Sequence, residues 1–146
     1  MPFTYEYPRP AVTVDAAVFR SADNGFEVLL IRRGNEPFKG MWALPGGFVN
    51  MDETLEEAVA RELKEETSLD NVELEQLHTF SAVNRDPRHR TISTVFYGII
   101  DQESMEARAG DDASETRWFS IGNLPSMAFD HDRVVDMAVK RMVNAG

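Results

Sequence analysis

The pattern of apolar and polar residues predicts where the chain forms strands. Runs dense in β-forming residues cover 11–19, 26–32 and 91–100, and the last is typical of a central strand. The turn-forming sequence SADNG separates the first two runs, which favours a hairpin. Shorter strands are expected at 42–44, 72–80 and 117–120.

Two helices complete the predicted elements. The first covers residues 55–67, and the second begins near Asp130 and ends near residue 144. Residues 1–10 are expected to form a short edge strand or an arm, and residues 102–116 an irregular acidic segment. The order of strands, helix, strands and helix predicts an α/β fold, with a mixed sheet and helices on both faces.

A capping signal marks the start of the first helix. Thr54 is a good N-cap residue, and Glu57 follows at the spacing of a capping box. No glycine or proline interrupts residues 55–67. With about 100° of rotation per residue, one face of this helix is apolar and carries Leu55, Ala58 and Val59.

Two carboxylates lie on that apolar face. Glu62 and Glu66 fall within about 20° of Leu55 on the helix. A buried carboxylate without a partner is costly, so a cation should meet this pair. Arg61 points in another direction, which makes a divalent metal such as Mg²⁺ the better partner. The alternative is an ordinary solvated face rich in glutamate.

Composition limits the classes of function. The 146 residues include 15 basic and 25 acidic side chains, which gives a net charge of −10 and argues against binding to polymeric nucleic acid. A phosphorylated small molecule remains possible, because a bound metal inverts the local field. The absence of cysteine, of a membrane-spanning run and of an N-terminal signal favours a cytoplasmic protein that does not enter membranes.

The segment 47–69 resembles a Nudix box. The box requires a glycine, a glutamate, the run Arg-Glu-aliphatic-x-Glu-Glu, a glycine and a last aliphatic residue at fixed spacing. Ser68 stands at the second glycine, and all other defined positions match: Gly47, Glu53, Arg61, Glu62, Leu63, Glu65, Glu66 and Leu69.

The resemblance implies a fold and a cofactor. It implies a single Nudix domain over residues 1–146, an α/β/α sandwich whose mixed sheet is flanked by the box helix and a C-terminal helix. It also implies Mg²⁺, with Mn²⁺ as a possible substitute, bound to Glu62, Glu65, Glu66 and the carbonyl group of Gly46. Glu53 and Gly47 would support this site, and Arg61 would orient the carboxylates.

A second acidic region is a candidate source of the general base. Proteins similar to this one often take a water-positioning residue from a late loop. In the sequence DDASETRWF, Glu115 is the first candidate and Asp112 the second. The alternative is a solvated acidic loop.

The substrate-binding candidates are cationic or aromatic. Arg32, Arg85 and Arg88 could contact phosphate or ribose, because the guanidinium fork matches phosphate oxygens. Phe38 and Trp42 could stack on a base. The alternatives are surface turns for the arginines and ordinary packing for the aromatic residues. Arg33, like Arg32, follows a strand and could reach a terminal phosphate, although exposure is favoured for Arg33. No histidine has the spacing of a metal ligand.

Segments outside the box resemble the Nudix subgroup that hydrolyses ADP-ribose. The expected function is therefore Mg²⁺-dependent hydrolysis of ADP-ribose to AMP and ribose 5-phosphate. Two alternatives are a pyrophosphatase that removes damaged nucleoside triphosphates and a module that binds an ADP-ribose-type ligand without cleaving it. The resemblance also suggests a homodimer, since the apolar arm residues Phe3, Tyr5 and Tyr7 need a partner.

Overall fold

The computed structural model describes residues 2–23, 25–101 and 113–145. Seven strands and two helices follow one another in the order β1 (Ala11–Ala22), β2 (Gly25–Arg33), β3 (Trp42–Ala43), β4 (Gly46–Phe48), α1 (Leu55–Thr67), β5 (Glu75–Phe80), β6 (Thr91–Ile100), β7 (Ala113–Ser120) and α2 (His131–Ala145). No helix among the described residues is long and apolar enough to cross a membrane.

The seven strands form one mixed sheet. Its main path runs β3-β2-β1-β6-β5, while β4 pairs with β1 and β7 pairs with β2. The pair β1 and β6 is parallel, and the other pairs are antiparallel. The predicted hairpin between the first two strands and the central position of the 91–100 strand are confirmed.

The sheet separates two apolar cores. Successive side chains of a strand point to opposite faces, so Ala17 and Phe19 of β1 pack with α2, whereas Ala16 and Val18 pack with α1. Both faces of β1 are therefore buried, and the predicted sandwich of helix, sheet and helix is confirmed. Asp15 lies on the same face as Ala17, but nearer the start of the strand.

Helix α1 begins and ends as its sequence predicts. The side chain of Thr54 accepts a hydrogen bond from the backbone of Glu57, and the Glu57 side chain accepts one from Thr54, which completes the capping box. Ser68 ends the helix in the left-handed conformation, with φ 67° and ψ 3°. The apolar face of the helix is buried in the core at Ala58 and Val59.

Several boundaries differ from those predicted. Gly46 and Gly47 lie beyond the strand predicted at 42–44, but they form β4 against β1, where a Cβ on Gly46 would lie 2.2 Å from Asp15 Oδ1. Strand pairing with β2 also extends β7 back to Ala113, into the segment expected to be irregular. Residues 2–10 form an arm outside the strands, and residues 72–74 precede β5.

Candidate active site

A pocket of about 390 Å³ opens beside the glycines of β4. Its lining includes an acidic group, Asp15, Glu62 and Glu66, of which the two glutamates lie against Gly46 and Gly47; this group is called the acidic end. The lining also includes Arg33 and Arg88, whose guanidinium groups lie against the ring of Phe129; this group is called the cationic end. The pocket therefore presents both acidic and cationic groups to a ligand.

Strand β4 brings the backbone into contact with the acidic end. The backbone N–H of Gly46 donates a 2.9 Å hydrogen bond to Glu66 Oε1. A Cβ on Gly47 would lie 2.6 Å from the Glu62 carboxylate, so only glycine lets this strand pass so close to the helix. The two glycines therefore fix where the acidic side chains of α1 meet the sheet.

At the acidic end, burial disfavours the ionised forms of two carboxyl groups, Glu66 and Asp15. Burial raises the pKa of Glu66 to about 9; the hydrogen bond from Gly46 opposes this shift, and the charges of Glu62 and Asp15 add to it. Burial likewise raises the pKa of Asp15 to about 7. Crowded carboxylate oxygens of this kind suit a hard divalent cation.

Arg61 holds the outer carboxylates of the box. Its guanidinium lies 2.5 Å from Glu53, 2.8 Å from Glu62 and 3.2 Å from Glu65. The hydrogen bond from Arg61 holds the pKa of Glu53 below its usual value. Glu62 and Glu65 both face this arginine. Among the described residues, no group of three acidic or histidine side chains is arranged to hold a metal ion.

The loop before β6 is anchored to α2 by a buried ion pair. Arg85 lies 2.6 Å from Asp130, and only 4% of its side chain is exposed. It also donates a 2.5 Å hydrogen bond to Ser93 of β6. Arg85 is therefore committed to holding the loop in place, although it lines the pocket.

Arg88 reaches the pocket from the same loop and is paired with Asp86. Its guanidinium donates two hydrogen bonds to the Asp86 carboxylate, at 2.8 and 3.1 Å. Burial raises the pKa of Asp86, but the bonds from Arg88 outweigh it and leave that pKa lowered. The guanidinium also lies 5.3 Å from the ring centre of Phe48 and 5.7 Å from that of Phe129.

His131 lies beside Asp15 with a neutral ring. Its Nδ1 accepts a hydrogen bond from the backbone N–H of Leu44 at 3.0 Å, so the ring proton lies on Nε2. That nitrogen is 3.8 Å from Asp15 Oδ2. Burial lowers the pKa of His131 to about 4, which keeps the ring neutral near pH 7. His131 is also the first residue of α2, as its sequence position suggested.

Four site residues that were predicted from segments outside the box lie outside the pocket lining. Glu115 is on β7, opposite Arg32 of β2, and lies 3.7 Å from Arg32 and 2.5 Å from Arg117. The ring centre of Trp42 is 4.8 Å from that of Phe119, and that of Phe38 is 4.8 Å from that of Phe129. For Arg32 the cause is the alternation of side chains along β2, which turns Arg32 away from the pocket and Arg33 towards it. Asp112 lies outside the described residues.

The box residues are divided between the pocket and its edge. Glu62, Glu66, Gly46 and Gly47 line the pocket, whereas Glu53, Arg61 and Glu65 form the ion-pair network beside it. Among the lining residues that sequence reasoning did not single out are Asp15, Phe48 and Phe129, and Arg33, for which exposure was favoured, lines the pocket as well. A signal existed for Asp15, the one charged residue in an otherwise apolar β-forming run.

Comparisons with known proteins identify a family and several relatives of this chain. A family model described as NUDIX domain matches residues 9–138. Over 129 residues the chain is 50% identical to the ADP-ribose pyrophosphatase of Methanocaldococcus jannaschii, and the match covers 88% of this chain and 73% of that protein.

Two solved structures share the fold at similar identity. The NUDIX domain of Shewanella oneidensis NrtR, complexed with ADP ribose, matches with a TM-score of 0.87 and 31% identity, over 93% of this chain and 90% of that one. A bifunctional NMN adenylyltransferase/ADP ribose pyrophosphatase from Francisella tularensis, complexed with AMP and a manganese ion, matches with a TM-score of 0.80 and 32% identity. That match covers 94% of this chain and 43% of the longer protein.

Proposed function

Because the chain belongs to the NUDIX domain family, we propose that it is a metal-dependent pyrophosphatase that hydrolyses ADP-ribose to AMP and ribose 5-phosphate. The observation that carries this proposal is the pocket, whose acidic end suits a metal and whose cationic, aromatic end suits a phosphorylated nucleoside. The 50% identity to an archaeal ADP-ribose pyrophosphatase supports this choice of substrate.

Members of this family generally use a divalent metal, and we assign Mg²⁺ to this protein. The raised pKa values of Glu66 and Asp15 support the assignment, because burial, and then the neighbouring carboxylates, disfavour their ionised forms, which a bound cation would stabilise. Glu62, Glu65 and Glu66, with the carbonyl group of Gly46, would hold the ion. When bound, it would neutralise the diphosphate and activate water.

The residues of the chain position the reacting groups. Hydrolysis joins a water oxygen to one phosphorus atom and breaks that atom's bond to the bridging oxygen, and a proton leaves the water. Glu115 lies outside the pocket, so we assign the acceptor of that proton to the carboxylates that line it among the described residues, which are Asp15, Glu36, Glu62, Glu66 and Asp86. Arg61 keeps Glu62 and Glu65 oriented when no ligand is present.

The deciding experiment compares substrates at equal Mg²⁺. We expect kcat/KM for ADP-ribose to exceed that for each of a set of dNTPs and other nucleotide sugars, with AMP and ribose 5-phosphate as products. Glu66→Gln serves as the control for contaminating activity. A clear preference for a triphosphate would overturn the substrate assignment and leave the diphosphate chemistry intact.

A second candidate function is binding without hydrolysis. It is favoured by the similarity to a NUDIX domain complexed with ADP ribose and by serine at the box glycine. Tight binding of ADP-ribose without product release in Mg²⁺ or Mn²⁺ would select this candidate. The complete set of box glutamates favours the enzyme.

We further propose that the protein acts in the cytoplasm as a homodimer. The arm residues Phe3, Tyr5 and Tyr7 have 67%, 42% and 71% of their surface exposed, which is a large apolar area for an isolated chain. Light scattering tests this assembly, and a clean monomer mass at micromolar concentration would contradict it.

A further inference from the structure

One cation in the pocket has no acidic partner. Arg33 ends β2, is half-buried and lines the pocket. Its Nε donates a 2.7 Å hydrogen bond to the carbonyl oxygen of Pro37. Within the described ranges it forms no ion pair, whereas Arg61, Arg85 and Arg88 each have a carboxylate within 2.8 Å.

A second guanidinium lies against the same aromatic ring. The guanidinium carbons of Arg33 and Arg88 are 5.1 Å and 5.7 Å from the centre of the Phe129 ring. Burial lowers the pKa of Arg33, and the nearby charge of Arg88 lowers it further. The charge of Arg88 is already balanced by Asp86, whereas Arg33 has no carboxylate at ion-pair distance among the described residues and feels Glu66, Asp86 and Asp15 only from farther away.

The backbone at Phe129 supports this arrangement. Phe129 has φ 54°, in the left-handed region that residues other than glycine rarely adopt. Its ring is held edge-to-face against Phe38, with the centres 4.8 Å apart. Unfavourable backbone conformations persist where surrounding contacts enforce them, commonly at ligand sites. Here the strained residue presents a ring face to both arginines.

We propose that Arg33, assisted by Arg88, binds a phosphate group of the substrate in the pocket, beside the ring of Phe129. The proposal rests on the proposed function, because it places the phosphate of the same ligand. The acidic end repels phosphate, so a substrate needs a fixed cation that holds it in the pocket. A guanidinium fork on a ring face presents paired N–H donors that match phosphate oxygens.

The neighbouring residue supplies a matched control. Arg32 precedes Arg33 on β2, but its side chain is exposed, lies 3.7 Å from Glu115 and takes no part in lining the pocket. Replacing Arg32 removes the same charge from nearly the same position in the chain. A difference between the two variants therefore reports the location of the charge and not the net charge.

The test measures binding of AMP and ADP-ribose by calorimetry in EDTA, so that neither metal nor turnover contributes. We expect Arg33→Gln to weaken both ligands by roughly 10- to 100-fold, because a hydrogen bond to a charged group is lost. Arg33→Lys should retain part of the affinity, and Arg32→Gln should change it by less than about twofold. The melting temperature of each variant shows whether the fold is preserved.

Several results would overturn the proposal. These are unchanged affinity in Arg33→Gln, an equal loss in Arg32→Gln, or a wild-type protein that binds neither AMP nor ADP-ribose without metal. The proposal also fails if Arg33→Lys loses as much ligand affinity as Arg33→Gln and both variants melt at a lower temperature. That result would mean that Arg33 has a structural role. Failure of the proposed function is a separate outcome: a protein that binds AMP through Arg33 but releases no product from ADP-ribose keeps this proposal and loses the enzyme assignment.

Discussion

The two ends of the pocket collect like charges in different ways. At the acidic end, Glu62 and Glu66 come from adjacent turns of one helix, and the backbone of Gly46 meets them from β4. At the other end, Arg33 and Arg88 come from a strand end and a distant loop, and both lie against Phe129. One end is a local motif, and the other is assembled by the fold.

The difference shows which charges the protein keeps for a ligand. Arg85 and Asp130 neutralise each other and hold the loop against α2. Glu66 and Arg33, in contrast, are partly or largely buried and have no ion pair within the described ranges. A fold selected for stability alone would remove such groups. A buried carboxyl group that a cation would help to ionise, together with an arginine that forms no ion pair, suits a ligand that brings both a cation and a phosphate.

The largest expected effect separates chemistry from binding. Glu66→Gln should lower turnover of ADP-ribose by about 10³-fold, or about 4 kcal/mol of transition-state stabilisation, because it removes charge from the proposed metal site. Binding of AMP at the cationic end should stay within about threefold of the wild type. Steady-state kinetics and calorimetry on the same preparation check both statements.

The matched control for that variant is Glu56→Gln. Glu56 is exposed on the same helix, and its hydrogen bond to Gln76 survives the change to an amide. We expect its turnover to match the wild type within about twofold. Unchanged turnover in Glu66→Gln would place the metal elsewhere.

The next effect is on stability and concerns the cationic end. Arg85→Gln should lower the free energy of unfolding by about 3 kcal/mol, because it leaves Asp130 without its buried partner. Urea denaturation measures this. Arg90→Gln, an exposed arginine of the same loop, should cost less than about 1 kcal/mol. Adding Asp130→Asn to Arg85→Gln should recover part of the loss, and a purely additive double variant would contradict the ion-pair explanation.

The contrast between local and assembled features explains what the sequence predicts. The helix 55–67, its cap at Thr54 and its two inward glutamates follow from spacing within one segment, and the structure confirms these positions. The left-handed residue at Ser68 follows from the box glycine that it replaces. Each of these depends on neighbours along the chain.

The cationic end could not be predicted in the same way. Whether Arg32 or Arg33 faces the pocket depends on the register of β2, and a shift of one residue exchanges them. Phe129 lies between Met127, which pairs with Trp42 of β3, and His131, which begins α2. The fold, and not the local sequence, therefore brings Phe129 to the pocket. Phe38 and Trp42 lie near the box in sequence, but they pack against Phe129 and Phe119. Proximity along the chain was the wrong guide for these aromatic residues.

A smaller effect concerns pH and the acidic end alone. The pKa of Asp15 is raised from 3.8 to about 7 and that of Glu66 from 4.5 to about 9. The folded state therefore holds protons that the unfolded state has lost. Stability from these two groups is fully present below about pH 4 and is lost as the pH rises through 7 to 9. His131, whose pKa is lowered to about 4, acts in the opposite direction, so that its contribution falls as the pH drops below 6.5.

Melting curves in EDTA should therefore show a fall of several degrees between pH 6.5 and pH 9. Mg²⁺ should reduce that fall, because it binds the ionised carboxylates of the folded protein. Glu66→Gln should show a shallower pH dependence than the wild type. A melting temperature that rises over this range in EDTA would contradict the assigned crowding of Asp15 and Glu66.

The smallest effect tests whether the acidic end tolerates its one departure from the box. Ser68 has φ 67°, a conformation that costs a residue with a Cβ more than it costs glycine. Ser68→Gly should raise the free energy of unfolding by about 0.5–1 kcal/mol, whereas Ser68→Ala, which keeps the Cβ, should give no such gain. Turnover should stay within a few fold, since the serine lies after the last carboxylate of the helix and outside the pocket lining. If Ser68→Gly instead created activity in a protein that had none, then the natural chain would be a binding module, and the charges at its two ends would serve recognition alone.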